Sequence, residues 1–539
     1  MRHQWHALLL PLLSVSLAFA GPADGEVGRL TANLPFKMVA PQPPVFPDRS
    51  FLITEHGAIG DGHTLNTSAF AKAIQTCAQA GGGRVVVPPG VWLTGPVKLA
   101  SNIDLHLEYG ALVLFTRRFE DYVVTDAGGQ RVVVSPIMAV GLENIAITGH
   151  GIIDGSGDAW RPVKKSKMTA TQWKNLVASG GALNPAGDIW YPSKEAMTPG
   201  SLEWMRPHMV QLTECKRVLL DGPTFQNSPM WNIHPLLCEE VIVRNITVLN
   251  PWYSQNGDGL DLDACRRVVV YRAHFDVGDD AICLKSGAGE EARQRGRACE
   301  DIVIRDCTVY HGHGGITVGS EMSGGVRNVY ADNCVFLGTD LGLRFKSTRG
   351  RGGVVESLFF NNIYMRGIPT DAIGFTMSYG GEAPDEMPGT DEPEVTIPPV
   401  DEGTPRFRDI HFRNIVCNGA RRAVRLVGLP EMPIDGIEFA DITLSALIGF
   451  ECLYARGVRI TKATILPQAG SVFNIADSAD IVIEKAKYPA GVEVFLKLSG
   501  RKTGRISLID IDMSQAGKDV VFERGASPDA LLRRSRSRK

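Results

Sequence analysis

The chain has 539 residues, of which 44% are hydrophobic and 21% are charged, and its formal net charge at pH 7 is −3. This composition is that of a globular protein, long enough for several domains or for one elongated repeat architecture. The near-neutral charge argues against a nucleic-acid or membrane-surface partner.

The N-terminus has the features of a secretory signal peptide. Arg2 is followed by an apolar run over residues 7–19 and by the A-x-A site Ala18-Phe19-Ala20. The run is too short to span a bilayer. We expect residues 1–20 to be removed and the protein to be exported to the periplasm or the extracellular space.

Residues 21–50 are expected to form an N-terminal extension, and a capping helix is expected after it. Residues 66–80 are amphipathic, with Asn66 or Thr67 as the N-cap and three glycines, 81–83, as the stop signal. A helix of this kind can cover the open end of a stack of strands.

A repeat fills the second half of the chain. Short segments with apolar residues at alternate positions and Asn, Asp or a similar residue at a fixed place recur at intervals of mostly about 21 to 29 residues. They include VIVRNITV, VVVYRAHF, IVIRDCTV, LFFNNIYM, IHFRNIVC and IEFADITL. Alternation with β-branched residues indicates strands, and no helical pattern lies between them. The pattern predicts an all-β, right-handed parallel β-helix whose coils stack ~4.8 Å apart.

We expect one catalytic β-helix domain over residues 51–513. Its two insertions are residues 158–205, rich in Lys, Trp and Gly, and residues 381–404, rich in Pro and acidic residues. Residues 514–539 are expected to be a tail that is disordered at its basic end. Ten cysteines are compatible either with disulfides in an exported protein or with reduced thiols in a core.

Four polar clusters interrupt the repeat: NGDGLDLD (256–263), VGDDAICLKSG (277–287), HGHGGITVGSE (311–321) and GLRFKSTRGRGG (342–353). Asp258 and Asp280 are 22 residues apart, close to one period, so Asp258 should lie beside the Asp279-Asp280 pair. Neighbouring strand residues point to opposite faces, so a turn at Gly278 is needed for both aspartates to share a site. Each cluster alone is typical of a turn, and the first could be a calcium loop.

Carboxylates this close cannot all ionise easily, so one pKa should rise. A protonated carboxyl beside ionised ones is what glycoside hydrolysis requires, since one group protonates the leaving oxygen and another activates water. Arg344 and Lys346 share a strand face and could bind a substrate carboxylate. The substrate is therefore expected to be an acidic sugar.

The clusters resemble the signatures of glycoside hydrolase family 28, the polygalacturonases: an N-T-D triplet, a G-[QD]-D-D run, G-H-G with a following G-S, and R-[IFL]-K. The resemblance covers roughly residues 50 to 465, and GAIGDGHTLNT…GGGRVVVPPG is similar to the start of pectin-acting β-helix proteins. One departure is Gly257, where threonine is usual. We expect it to alter loop geometry and not to abolish activity.

The resemblance implies a role for each matching residue. Asp279 corresponds to the general acid, Asp258 and Asp280 to the pair that activates water, and His313 to the residue that supports the acid. Arg344 and Lys346 would bind the uronate carboxylate, and the remaining substrate-binding candidates are Asn256 and Tyr379. Asp261 and Asp263 are expected to support the turn. The family inverts the anomeric centre and uses no metal or other cofactor.

The sequence thus predicts a monomeric hydrolase of α-1,4-linked galacturonic acid, whose partner is an acidic polysaccharide or an oligogalacturonide. We expect an exo mode because the two insertions could wall off one end of the groove. The alternatives are a family member acting on rhamnogalacturonan or a branched pectic side chain, a pectate-lyase-like enzyme, and a non-catalytic glycan-binding β-helix.

Overall fold

The computed structural model describes residues 22–380 and 397–534. The expected signal peptide and most of the 381–404 insertion lie outside these ranges. Five α-helices are present in the described part: Pro22–Leu30, Thr67–Gln79, Ala170–Ala178, Lys194–Met197 and Gly289–Arg295. None of the helices described is both long and apolar enough to cross a membrane.

Strands are the main regular structure of the described chain. In the N-terminal coils they are Ser50–Leu52, Gly83–Val87, Gly90–Thr94, Val97–Lys98, Ile103–Leu107, Ala111–Phe115, Val123–Thr125, Arg131–Val133, Ile137–Val140, Glu143–Gly149 and Ile152–Asp154. The first insertion contributes Val163–Lys164, Ala182–Leu183 and Ile189–Tyr191. The middle coils contain Val210–Thr213, Lys216–Asp221, Thr224–Gln226, Ile233–Leu236, Glu239–Arg244, Thr247–Leu249, Leu260–Asp263, Arg266–Tyr271, His274–Asp276, Ile282–Lys285, Cys299–Arg305, Thr308–His311, Gly314–Val318, Val326–Leu337, Leu341–Lys346 and Val354–Thr376. The last coils contain Arg406–Val427, Ile434–Ala440, Thr443–Leu453, Ala455–Arg456, Arg459–Thr461, Thr464–Ala476, Ala479–Glu484, Val494–Ser499, Gly504–Ile509, Lys518–Glu523 and Leu531–Arg534.

The coils stack in parallel with matched inward residues. On the face that carries the polar clusters, Leu260 pairs with Ile282, which pairs with Ile316, which in turn pairs with Leu343. All four side chains are buried in the interior of the solenoid. This is the right-handed parallel β-helix that the repeat predicts, and the expected fold is confirmed.

The recurrent Asn or Asp of the repeat marks a bend between strands. Asn333, Asn362 and Asn414 all have left-handed backbone conformations, with φ of 53°, 51° and 52°. The Nδ2 of Asn414 donates to Oδ1 of Asn362 at 2.6 Å, so these side chains form a ladder along the stack. Short amide and carboxyl side chains suit these bends because they tolerate positive φ and bond locally.

The two ends of the solenoid differ. The helix Thr67–Gln79 buries Phe70 and Ile74 against the first coils, and Asn66 occupies its N-cap position, as expected. The side chain of Asn66 does not cap the helix, because it bonds the backbone of Ile59, Thr64 and Leu93 instead. At the other end the stack continues beyond residue 513, where we expected a tail: strands Lys518–Glu523 and Leu531–Arg534 pair with preceding coils.

The interior holds nine of the ten cysteines and a phenylalanine stack. All ten cysteines are buried and free, which favours the reduced-core alternative over disulfides. Phe345 stacks on Phe375 with ring centroids 4.0 Å apart, and Phe412 stacks on Phe439 at 5.0 Å. The core is therefore held by apolar contacts between successive coils.

Candidate active site

Consecutive coils bring Asp258 and Asp280 together. The N–H of Gly259 donates to the carbonyl oxygen of Asp280 at 2.9 Å, which sets the two loops in register. Carboxylate oxygens of Asp258 and Asp280 lie within 4.8 Å of each other. The spacing of about one period in the sequence therefore does place these two carboxyl groups side by side.

A bend over residues 278–279 allows the neighbouring residues Asp279 and Asp280 to share one site, although neighbouring residues of a strand point to opposite faces. The chain leaves the strand His274–Asp276 and enters the next strand only at Ile282, so Asp279 and Asp280 are not alternate members of one strand. Gly278 is required there, since a Cβ atom would lie 2.5 Å from the carbonyl oxygen of Pro251 and 2.8 Å from that of Ser254. The turn expected at Gly278 is present.

Asp280 is fully buried between two cations. Arg344 Nη1 donates to its Oδ1 at 2.9 Å, and Lys346 Nζ donates to its Oδ2 at 2.8 Å. Burial alone would raise the pKa of Asp280, but the charges of Arg344 and Lys346 outweigh burial and hold the pKa well below its usual range. Asp280 is therefore an ionised carboxylate.

Asp258 has the opposite environment. Burial, followed by the negative charges of Asp261 and Asp279, raises the pKa of Asp258 well above its usual value. Its Oδ1 has no hydrogen-bond partner among the residues that the structure describes. The rise in pKa expected for one carboxyl of the cluster thus falls on Asp258, one of the two residues expected to activate water.

His313 forms a hydrogen-bonded chain with Asp279. Its Nδ1 lies 3.0 Å from Asp279 Oδ1, and its Nε2 lies 3.1 Å from Lys167 Nζ. Asp340 Oδ2 is 3.6 Å from the same Nε2. The side chains of His313 and Asp279 are 30% and 18% exposed, so both can meet a substrate.

The ring of Tyr379 lies over the two cations that bind Asp280. Lys346 Nζ is 4.8 Å and Arg344 Cζ is 5.7 Å from the ring centroid, within the range of cation–π attraction. Only Nη1 of the Arg344 guanidinium is bound to Asp280, so the other donors of Arg344 remain able to bind a carboxylate. Tyr379, 39% exposed, therefore belongs to the same wall as this pair.

Asn256 is bound by Arg206, which directly follows the first insertion. Its Oδ1 accepts a hydrogen bond from Arg206 Nη2 at 2.8 Å, and Nη1 of Arg206 donates to the carbonyl oxygen of Gln255 at 2.7 Å. Arg206 therefore fixes the loop that leads into Asp258.

Asp261 and Asp263 do not support a turn as expected, since both lie within the strand Leu260–Asp263. Asp261 is fully buried, 3.5 Å from Lys285 Nζ. Burial raises the pKa of Asp261 to about 6 although Lys285 and His234 act against it. Lys285 Nζ also lies 3.1 Å from Glu321 and 4.4 Å from the centroid of the Trp231 ring. This lysine and its partners extend the site toward the preceding coil.

Sequence reasoning missed three cations of the site: Lys167, Arg206 and Lys285. Lys285 belongs to the same polar cluster as the Asp279-Asp280 pair and lies two residues after Cys283 on one strand. The cluster therefore gave a signal from which Lys285 could have been assigned to the site. Lys167 lies within the first insertion and Arg206 directly follows it. Neither carried such a signal, because an insertion has no position in the repeat.

One group of possible metal ligands lies within the site. Atoms of Asp258, Asp280 and Cys283 lie within 4.8 Å of one another, and no other such group occurs in residues 22–380 and 397–534. Both oxygens of Asp280 already accept bonds from Arg344 and Lys346. A metal ion would have to displace these two cations, so the group does not fit a metal site.

The chain is similar in sequence and in fold to known polygalacturonases. A probable polygalacturonase of Vitis vinifera is 28% identical over 433 residues, 78% of this chain and 80% of the relative. An exo-poly-alpha-D-galacturonosidase of Dickeya chrysanthemi is 29% identical over 70% of this chain, which spans 64% of that relative. The crystal structure of a hyperthermoactive exopolygalacturonase from Thermotoga maritima superposes with a TM-score of 0.60 at 29% identity, covering 85% of this chain and 94% of that one.

The family model of glycosyl hydrolases family 28 matches residues 163–452, more than half of the chain. The match spans the four clusters as well as Lys167 and Arg206. The carboxyl groups, the histidine and the cation pair therefore lie in the part of the chain that carries the family likeness, and this protein belongs to glycosyl hydrolases family 28.

Proposed function

We propose that the protein is an exo-acting polygalacturonase, which hydrolyses α-1,4-linked galacturonic acid in pectin with inversion at the anomeric carbon. The observation that carries the proposal is the convergence of three aspartates with His313 and the Arg344/Lys346 pair on one wall of the β-helix. The names of the relatives and of the Thermotoga structure support the substrate class.

In the proposed mechanism Asp279 is the general acid. It gives its proton to the glycosidic oxygen as the bond from that oxygen to C1 breaks. A water molecule forms the new bond to C1 from the opposite face and passes a proton to the Asp258/Asp280 pair. Asp280 is the member kept ionised by its two cations, so it is the member that can take up this proton. Asp279 loses one proton and the Asp258/Asp280 pair gains one, so the number of protons on the site is unchanged by the reaction.

Substrate binding is assigned to the cationic wall. The uronate carboxylate would bind the unused donors of Arg344 together with Lys346, and Tyr379 would pack against the sugar. Asn256 would shape the loop before Asp258. The protein is proposed to act as an exported monomer without a cofactor.

The first insertion supports the exo mode. Within the insertion, Lys167 contacts His313 and Arg161 donates to the carbonyl oxygen of Ser228 at 2.5 Å. Arg206, directly after the insertion, donates to Asn256. The insertion is therefore attached along the loops beside the carboxyl cluster. A groove bounded on this side would admit only the end of a polymer.

Product analysis tests the function and the mode together. The native protein should release galacturonic acid monomer from polygalacturonate from the first minutes, and a ladder of oligomers would contradict the exo mode. If sugar is released only from rhamnogalacturonan or a branched pectic polymer, that polymer and not polygalacturonate is the substrate. An unsaturated, ultraviolet-absorbing product that disappears with a chelator would indicate a lyase.

The role of Asp279 is tested by Asp279→Asn, which keeps the shape of the side chain and removes the proton donor. Turnover should fall on the order of 10²–10⁴-fold while binding of an oligogalacturonide is retained. Asp126→Asn, at an exposed position in an N-terminal hairpin, is the matched control and should leave turnover unchanged. Unchanged turnover in Asp279→Asn would refute the assignment.

A further inference from the structure

A lysine of the first insertion reaches the histidine of the catalytic cluster from 146 residues away in sequence. Lys167 ends a short helical turn over Lys165–Lys167, and its Nζ lies 3.1 Å from Nε2 of His313. The same Nζ lies 3.5 Å from the carbonyl oxygen of Trp252, which holds the ammonium group from a second side. Lys167 therefore has a defined position against the imidazole ring.

The contact decides which ring nitrogen carries the proton. A lysine ammonium group has only donors, so the Nε2 atom of His313 must present its lone pair. The proton of a neutral ring then sits on Nδ1, from which it is donated to Oδ1 of Asp279 at 3.0 Å. The geometry thus requires the Nδ1–H tautomer of His313.

The same chain of bonds orients the carboxyl group of Asp279. Its Oδ1 accepts both from His313 and from the backbone N–H of Asp280, each at 3.0 Å. Two donors occupy this oxygen, so the proton that a general acid transfers belongs on Oδ2. Holding His313 in place therefore also fixes the oxygen from which Asp279 donates.

A carboxylate competes with Lys167 for the ring. Asp340 Oδ2 lies 3.6 Å from Nε2, and its side chain is 50% exposed. A bond to Asp340 would need a proton on Nε2, which together with the proton on Nδ1 makes an imidazolium ion. The charged groups that contact His313 are thus Asp279 at Nδ1, and Lys167 and Asp340 at Nε2. Lys167 favours the neutral ring, whereas Asp340 favours the imidazolium ion.

We propose that Lys167 is a positioning residue, which holds His313 as the neutral Nδ1–H tautomer and thereby keeps the transferable proton of Asp279 on Oδ2. The proposal rests on the role of Asp279 given above. The contact between Lys167 and His313 connects the insertion to the general acid. Catalysis therefore depends on the insertion keeping its position beside the groove.

The ring is observed directly by NMR of protein labelled with ¹⁵N,¹³C-histidine, with the His313 signals assigned by their loss in His313→Gln. The native protein at pH 7 should show the Nδ1–H tautomer. Lys167→Met should shift the ring toward the imidazolium form. Lys165→Met, an exposed neighbour in the same turn, should leave the signals unchanged. A native ring in the Nε2–H or imidazolium form, or a ring unaffected by Lys167→Met, would overturn the proposal.

Kinetics on polygalacturonate provide the second readout. Lys167→Met should lower kcat on the order of tenfold, with KM within about twofold of the native value, because orientation of the acid is lost but substrate contacts are kept. Kinetics equal to those of Lys165→Met, or a raised KM with unchanged kcat, would overturn the proposal. Absence of turnover in the native protein would instead refute the proposed function, and the NMR result would still stand.

Discussion

At the scale of single residues, the carboxyl groups of Asp258 and Asp280 lie within 4.8 Å of each other but have opposite tendencies to ionise. Asp280 accepts from two cations, whereas Asp258 faces other carboxylates and has an oxygen without a partner among the described residues. Both are buried, so burial does not distinguish them. The neighbours of each carboxyl decide its charge, and this division allows one site to hold both a proton and an ionised base.

The buried Asp261 should make stability depend on pH. Its pKa of about 6 lies above the unfolded value of about 4, so the folded state binds more protons between these pH values. Stability from this group is therefore present below about pH 4 and is lost as pH rises to about 6, on the order of 2 to 3 kcal/mol. Asp261→Asn should remove this slope. Tm measured from pH 4 to 7 checks it, and parallel curves for the two proteins would contradict the prediction.

Gly257, where the family usually has threonine, is explained by Ser254. A Cβ at position 257 would overlap the Ser254 hydroxyl and lie 2.7 Å from its Cβ atom. Gly257→Thr alone should cost about 1–3 kcal/mol by overpacking. Adding Ser254→Gly should recover much of this loss, since it vacates the space. Tm of the single and double variants tests the coupling, and strictly additive losses would show that Ser254 is not the obstacle.

At the scale of elements, the N-terminal extension covers apolar surface outside the main core. Val27 of the helix Pro22–Leu30 is buried against Ile242, Val269 and Val303. The same helix is also joined to the solenoid by an ion pair between Glu26 and Arg272 at 2.8 Å, with both side chains partly exposed. The extension is thus a part of the fold, attached by an apolar contact and by a surface ion pair.

The two kinds of contact should differ in strength. Val27→Ala should lower the free energy of unfolding by about 1–2 kcal/mol, because it removes buried methyl groups. Glu26→Gln should change it by less than about 1 kcal/mol, since exposed ion pairs contribute little. Thermal or urea unfolding of both variants makes the comparison, and an equal or larger effect of Glu26→Gln would reverse this ranking.

At the scale of the whole molecule, each coil is stabilised by its two neighbours. The Phe412 ring stacks on Phe439 at 5.0 Å and on Phe360 at 5.4 Å, so it joins three coils. In a stacked repeat, stability is approximately the sum of such neighbour contacts. The arrangement of the active site depends on the same contacts, because its residues are distributed over successive coils.

Phe412→Ala should therefore be costly, about 3–5 kcal/mol, since it opens a cavity between coils. Tyr364→Ala is the matched control: Tyr364 belongs to the coil before Phe412, but its side chain is 39% exposed. The control should cost much less. Urea unfolding followed by circular dichroism tests both, and similar losses in the two variants would argue against the core stack as a main source of stability.

The amino-acid sequence alone determined the β-helix, the order of the four clusters and the proximity of Asp258 to Asp280, because a repeat converts sequence spacing into stacking. It also indicated the turn at Gly278, since two adjacent aspartates cannot otherwise share one face. Only the tertiary structure decided that Lys167 meets His313 and that the pKa values of Asp258 and Asp280 diverge. The physical reason is that an insertion is placed by packing and not by period, and that the charge of a buried group depends on partners from distant parts of the chain.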